Sequence, residues 1–299
     1  MKRAPVVHSP RYAVDIGAHV FPTRKYGLIR SRLIDLELIR AEDVVEPAPA
    51  SWDDLRLVHT AEYLDGLRDG TLSADDIALL ELPWSEPMVE GFRVMVGGTI
   101  EAARRAVAVH GVACHIGGGL HHAFPNHGEG FCPFNDVAVA IRVLQREGLP
   151  GAAVIDLDVH HGNGTAFIFE SDPSVFTFSM HQQHNYPLWK PRSSLDIGLA
   201  DGTHDRTYLA ALETALPKVM ASAPKCVFYV AGADPFEGDQ LGGLRLTKEG
   251  LRRRDRMVMD AVAAADIPLV VVLAGGYAVN TDDTVAIHVA TIQEALGRF

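Results

Sequence analysis

"VIDLDVHHGNG", residues 154–164, decides how this chain is read. It begins as an unbroken apolar segment, the pattern of a strand covered on both faces. It ends in two aspartates, two histidines and two glycines. In open parallel α/β sheets, ligands bind beyond the carboxyl ends of the strands. Polar chemistry crowded at a strand end is therefore a candidate site, provided the rest of the chain builds such a sheet.

The rest of the chain has that pattern. Continuous apolar runs recur at "VACHI" (112–116), "AAVIDLD" (152–158), "VFTFSM" (175–180), "CVFYVA" (226–231) and "PLVVVLA" (268–274). Helical patterns lie between them. "DVAVAIRVLQRE" (136–147) stops before Gly148, a C′ residue. "DRTYLAALETALPKVMAS" (205–222) contains Pro217, which predicts a kink or break. "TKEGLRRRDRMVMDAVAAA" (247–265) opens on the N-cap Thr247. The amino-terminal third reads as helical, over 23–39 and over 86–110, where Gly97-Gly98 predicts a break. Strand–helix alternation of this kind predicts a parallel sheet flanked by helices, in one domain over residues 1–299.

The segments just past the strands carry the chemistry. "GGGLHHAFPNHGEGFCPFND" comes after 112–116, "VHHGNG" after 152–158, "GADPFEGD" after 226–231 and "GGYAVN" after 268–274. Asp156, Asp158 and His160 share one face of an extended segment, because their spacing is i, i+2, i+4. Two carboxylates and an imidazole suit a borderline divalent cation, and Asp234 can complete the set after another strand. A lone Asp-x-Asp is usually only a strand-end pair. Here a histidine and a second strand-end acid accompany it. Two Asp and one His leave a coordination position open, as in a catalytic zinc site. His121-His122 can supply a base and an acid, with Asp156 holding one ring charged and Asn163 leaving the other freer. Tyr277, beside two glycines, can donate to a developing oxyanion.

Taken together, "HIGGGLHHA" (115–123), "GEGFCPFND" (128–136), "VIDLDVHHGNGT" (154–165), "GADPFEGDQLGGL" (232–244) and "LAGGY" (273–277) resemble the zinc-dependent histone deacetylase family. The glycine triplet and "EGDQLGGL" are most similar to its class IV branch and bacterial relatives. The resemblance implies the arginase/deacetylase fold, a three-layer α/β sandwich around a mainly parallel sheet of about eight strands. It implies that Asp158, His160 and Asp234 bind zinc, that Tyr277 polarises the scissile carbonyl, and that His122 is the general base and then acid. His121, paired with Asp156, is then a charged partner. A potassium ion would use Asp156, Asp158, His160, Ser179 and Met180. Gly130, Phe131, Leu241 and Gly276 would line an acyl-lysine tunnel. The chain departs from the family at His161, where class IV often has Gln. Asn163 stands where class I has Asp. "HQQHNYPLWKPRS" (181–193) has no firm match.

The implied activity is removal of an acetyl or longer fatty acyl group from acyl-lysine. Deacetylation of acetylated polyamines or other small acyl-amines is the alternative. A two-metal ureohydrolase on the same fold would need an Asp-x-His-x-Asp run, and Gly162 stands where its last carboxylate belongs. The formal net charge of −11 opposes binding to nucleic acid and suits a cationic substrate. No stretch reaches the roughly 20 apolar residues of a membrane span. The cysteines Cys114, Cys132 and Cys226 are odd in number and contain no Cys-x-x-Cys pair, which favours a reducing, cytoplasmic setting.

Overall fold

A computed structural model describes residues 4–299. Its strands are β1 (Val6–Val7), β2 (Val44–Val45), β3 (Val112–His115), β4 (Ala152–Asp156), β5 (Val175–Gln182), β6 (Leu195–Leu199), β7 (Val227–Val230) and β8 (Leu269–Val272). They form one eight-stranded sheet in the order β2-β1-β3-β8-β7-β4-β5-β6. Every neighbouring pair is parallel. All residues of β3, β4, β7 and β8 are buried, which is why these strands read as continuous apolar runs. The order places β3, β8, β7 and β4 side by side. The segments that leave their carboxyl ends are the ones that carry His121, Tyr277, Asp234 and Asp158.

The strands that the apolar pattern did not reveal are β1, β2 and β6. The first two are only two residues each. The third is an edge strand whose outward residues are not apolar, so it gives no continuous run.

No helix break occurs at Gly97-Gly98 or at Pro217. Glu86–Val109 is one unbroken helix. Its glycines serve close packing: a Cβ on Gly97 would overlap the Ala48 carbonyl oxygen, and one on Gly98 would overlap His115 and the Tyr12 hydroxyl. Asp205–Ala221 likewise runs through Pro217. Both Pro217 and Glu213, whose carbonyl loses its helical donor there, are exposed, so water can satisfy the freed group. The amino-terminal helix is shorter than its pattern, Lys25–Asp35 rather than 23–39. Thr247 caps its helix as expected, accepting from the Gly250 amide. Gly148 follows the helix Asp136–Arg146 at φ 101°.

Candidate active site

The glycine-rich loop after β3 is shaped by a buried carboxylate. Asp136 accepts the amides of Gly119 (3.1 Å) and Leu120 (2.7 Å). Gly118 and Gly119 sit at φ 73° and 78°, in the left-handed region, and a Cβ on Gly119 would overlap Ala274 on the β8 loop. The loop can therefore lie flat against its neighbour and deliver His121 and His122 side by side into the interior.

Asp158, His160 and Asp234 meet as a group. One ligand atom from each lies within 4.8 Å of the others, and all are buried. His160 Nδ1 stands 3.1 Å from Asp158 Oδ1 and 3.5 Å from Asp234 Oδ2. The Asp234 Oδ1 atom accepts the Val159 amide at 2.8 Å, and Asp158 Oδ2 accepts the Gly275 amide at 2.9 Å. Those bonds fix the carboxylate planes. Asp234 Oδ2 is buried and has no hydrogen-bond partner. Such an atom is costly unless a cation completes it. Gly232 and Gly275 press on these carboxylates so closely that a Cβ on either would collide with their oxygens. The donor set and the orphaned oxygen fit a divalent ion such as zinc.

The electrostatics express the same crowding. Burial opposes charge on His160, but the two carboxylates beside it raise its pKa to about 10. Burial and the charge of Asp158 push Asp234 upward. Asp158 is held well below the usual carboxylate range, because His121 and His160 outweigh its burial.

The histidine pair divides into unlike members. His121 Nδ1 donates to Asp156 Oδ2 at 2.7 Å. Burial disfavours its charge, yet Asp156 and Asp158 raise its pKa to about 9. His122 Nδ1 lies 2.7 Å from Asn163 Oδ1, and its Nε2 lies 3.0 Å from His121 Nε2. Burial and the charges of His121 and His160 drive its pKa well down. Their different partners favour charge on His121 and a neutral, accepting ring at His122.

Tyr277 follows β8, with its amide donating to Asp239 Oδ2 at 2.7 Å. Burial and the nearby Asp158 and Asp234 raise its phenol, so it stays a proton donor. Asp239 Oδ1 also accepts the Leu241 and Gly242 amides at 2.9 and 3.0 Å, tying the phenol's backbone to the Leu241 turn.

A cleft of about 170 Å³ leads inward, lined by Glu81, His122, Gly130, Phe131, His160, Asn185, Tyr186, Leu241 and Tyr277. A smaller space behind it, about 20 Å³, is walled by Phe21, Tyr26, His121 and Gly275. Gly130, Phe131 and Leu241 are among the residues that line the cleft. Gly276 borders neither space; it packs against Thr284 and Ala233, and Gly275 takes its place at the wall. Phe131 is held at φ 67°, unusual for a side-chain-bearing residue, by the Leu80 carbonyl, which accepts its amide at 3.0 Å. Asp156 and Ser179 are register partners on β4 and β5, and Met180 follows Ser179 along β5.

Several participants are invisible to a reading of residue patterns. Lys25 is fully buried beneath Tyr277, 5.7 Å from its ring, and donates to the Ala274 carbonyl at 2.8 Å. Burial lowers its pKa to about 8 against the pull of Asp234, Asp158 and Asp239. Tyr186 comes from the unmatched 181–193 segment and edges onto His122 at 5.1 Å between ring centroids. Glu129, within a recognised motif but given no role, accepts from both Tyr186 and Asn163. A polar residue in a predicted loop gives no sign of which partner it will meet. His161 turns away from the cleft, pairing with Asp196 (3.2 Å) and packing on His181.

Comparison with known proteins agrees with this geometry. Residues 19–292 match the histone deacetylase domain. An uncharacterised protein of Picosynechococcus sp. is 44% identical over 95% of this chain and 95% of its own length. Histone deacetylase 2 of Arabidopsis thaliana is 31% identical over 93% of this chain and 75% of its own. The crystal structure of a histone deacetylase homologue from Aquifex aeolicus superposes with a TM-score of 0.84 at 24% identity, covering 100% of this chain and 85% of that one, so the fold is that of the deacetylases. With the domain match spanning most of its length, the chain belongs to the histone deacetylase family.

Proposed function

We propose that this protein is a zinc-dependent amidohydrolase that removes an acetyl or longer acyl group from acyl-lysine, acting in the cytoplasm as one catalytic domain over residues 1–299. The observation that carries this reading is the convergence of Asp158, His160 and Asp234 on a common point, with an orphaned Asp234 oxygen, at the base of a cleft that also holds His122 and Tyr277. The buried, unpaired state of Cys114, Cys132 and Cys226 supports a reducing compartment. No helix among the described residues is long and apolar enough to cross a membrane.

Asp158, His160 and Asp234 would hold the zinc, which supplies Lewis acidity toward the scissile carbonyl and the attacking water. The chain's own groups do the rest. Neutral His122 takes a proton from the water at Nε2 and later gives it to the departing amine nitrogen. His121, charged and anchored by Asp156, steadies the negative charge that gathers beside it. The Tyr277 phenol donates to the carbonyl oxygen as that oxygen becomes an anion. The aromatic walls Phe131 and Tyr186 hold the methylene stem of a lysine and keep water out. Asp156, Asp158, His160, Ser179 and Met180 would bind potassium beneath the site, where the register of β4 and β5 favours it.

The test is a hydrolysis screen of the zinc-loaded protein on acetyl-lysine peptides, longer acyl-lysine peptides and acetylated polyamines. Turnover of an acyl-lysine is the expected result. Turnover confined to polyamines would move the assignment to a small-amine deacetylase, for which Glu81 at the cleft mouth is a suitable anion. A zinc-loaded protein inactive on all of them would overturn the proposal.

A further inference from the structure

Neutral histidine carries one ring proton, and a base needs its reactive nitrogen bare. For His122 that nitrogen is Nε2, so the proton must sit on Nδ1. The group facing Nδ1 is the side chain of Asn163. An asparagine can present either its oxygen or its NH2 to a neighbour, and the second choice would stabilise the wrong tautomer. Charged His121, 3.0 Å from His122 Nε2, favours the same tautomer from the other side of the ring, and the Nδ1 side agrees with it only if the amide is fixed.

The group that fixes it is Glu129. Its side chain is 12% exposed, and its Oε1 accepts from Asn163 Nδ2 at 2.8 Å and from the Tyr186 hydroxyl at 2.7 Å. Oε2 lies 3.3 Å from His127 Nε2. An ionised carboxylate accepts only. Asn163 must therefore turn its NH2 toward Glu129 and its Oδ1 toward His122, and His122 must donate from Nδ1. We propose that Glu129 is a positioning residue that selects the Nδ1–H tautomer of His122 through Asn163, with Tyr186 clamping the carboxylate from the cleft wall. Tyr186 also borders the cleft, so the channel wall and the base share one hydrogen-bonded chain. The inference rests on His122 being the base of the proposed reaction.

The same logic names a rescue. An aspartate at 163 is also acceptor-only and needs no carboxylate to orient it. In a chain lacking Glu129, Asn163→Asp should restore the tautomer.

The experiment uses zinc-loaded protein labelled with 15N-histidine, with the His122 signals identified by their loss in His122→Ala. Long-range proton–nitrogen correlation reports which ring nitrogen is protonated. Wild type should show Nδ1–H alone. Glu129→Ala should show mixed tautomers and a kcat lower by about 10- to 100-fold at unchanged KM, the usual range for a residue supporting an active group. Glu129→Gln, which keeps an acceptor, should fall between them, and a melting curve for each variant excludes unfolding as the cause. Glu129→Ala/Asn163→Asp should regain the single tautomer. A single Nδ1–H tautomer in folded Glu129→Ala, or a kcat that does not fall, would overturn the inference. Wild-type protein inactive on every acyl-amine, yet with the tautomer shift present, would overturn the function and support the relay.

Discussion

Binding of zinc should expel protons, because its ligands are groups whose charged and neutral forms the site itself biases. His160 Nδ1 lies 3.1 Å from Asp158 Oδ1 and 3.5 Å from Asp234 Oδ2. Burial opposes charge on that ring, but the carboxylates of Asp158 and Asp234 beside it raise its pKa to about 10. Ligation requires the neutral ring. At neutral pH the gap to that pKa is about three units, and at about 1.4 kcal/mol per unit the displacement costs about 4 kcal/mol, or a thousandfold in apparent affinity. His160 alone therefore makes the apparent Kd rise about tenfold for each pH unit lost below its pKa. Asp234, pushed upward by burial and by Asp158, adds part of a second proton toward acid pH, so the dependence steepens there. The assay is calorimetric titration of metal-free protein with zinc in buffers of different ionisation enthalpy, between about pH 6.5 and 8.5. Between one and two protons should leave per ion at neutral pH. Release of less than about half a proton, with an affinity flat over that range, would refute the reasoning.

Other perturbations test other residues. Tyr277→Phe should retain zinc and lower kcat by about 100- to 1,000-fold, as expected for loss of one oxyanion donor; full activity would remove its role. Asp234→Ala should abolish stoichiometric zinc, and metal analysis at full occupancy would rule out that ligand. Gly97→Ala should destabilise by about 1–3 kcal/mol in chemical denaturation, because the added methyl overlaps the Ala48 carbonyl and the helix cannot withdraw; an unchanged midpoint would contradict the packing. Glu294 is 6% exposed among Arg256, Arg252 and Arg298. Burial opposes its charge, but those guanidiniums hold its pKa at about 2. A lowered folded pKa contributes stability that is complete above the ordinary carboxylate range and is lost as pH falls toward 2. Because the arginines are partly solvated, about 1–2 kcal/mol is at stake. Glu294→Gln should thus be less stable than wild type at neutral pH, with the gap closing in acid; a gap constant to about pH 2.5 would refute the pairing.

Much of this protein is written locally. The runs at 112–116, 152–158, 226–231 and 268–274 declare buried parallel strands because both sheet faces exclude polar side chains. Once they are strands, Asp158, His160, Asp234, His121, His122 and Tyr277 are recognisable by standing just past their ends. The residue pattern could not reveal β1, β2 or β6, which are too short or too exposed to carry a period. It also misjudged Gly97-Gly98, and Pro217 does not break its helix. A glycine's cost in a helix is a local quantity, whereas its use in admitting the Ala48 backbone exists only after the chain has folded.

The sequence alone determined the fold class and the chemical kinds of group at the site, because burial period and residue type are properties of each segment by itself. Tertiary structure alone decided the pairings. Strand order placed β3, β8, β7 and β4 side by side, so that groups more than a hundred residues apart meet. It brought Tyr186 onto Glu129 and Glu129 onto Asn163, set Lys25 beneath Tyr277, and turned His161 away from the cleft. Hydrogen bonds and charge interactions act over a few ångströms of space, and sequence separation carries no information about that distance until the sheet has closed the loops between them.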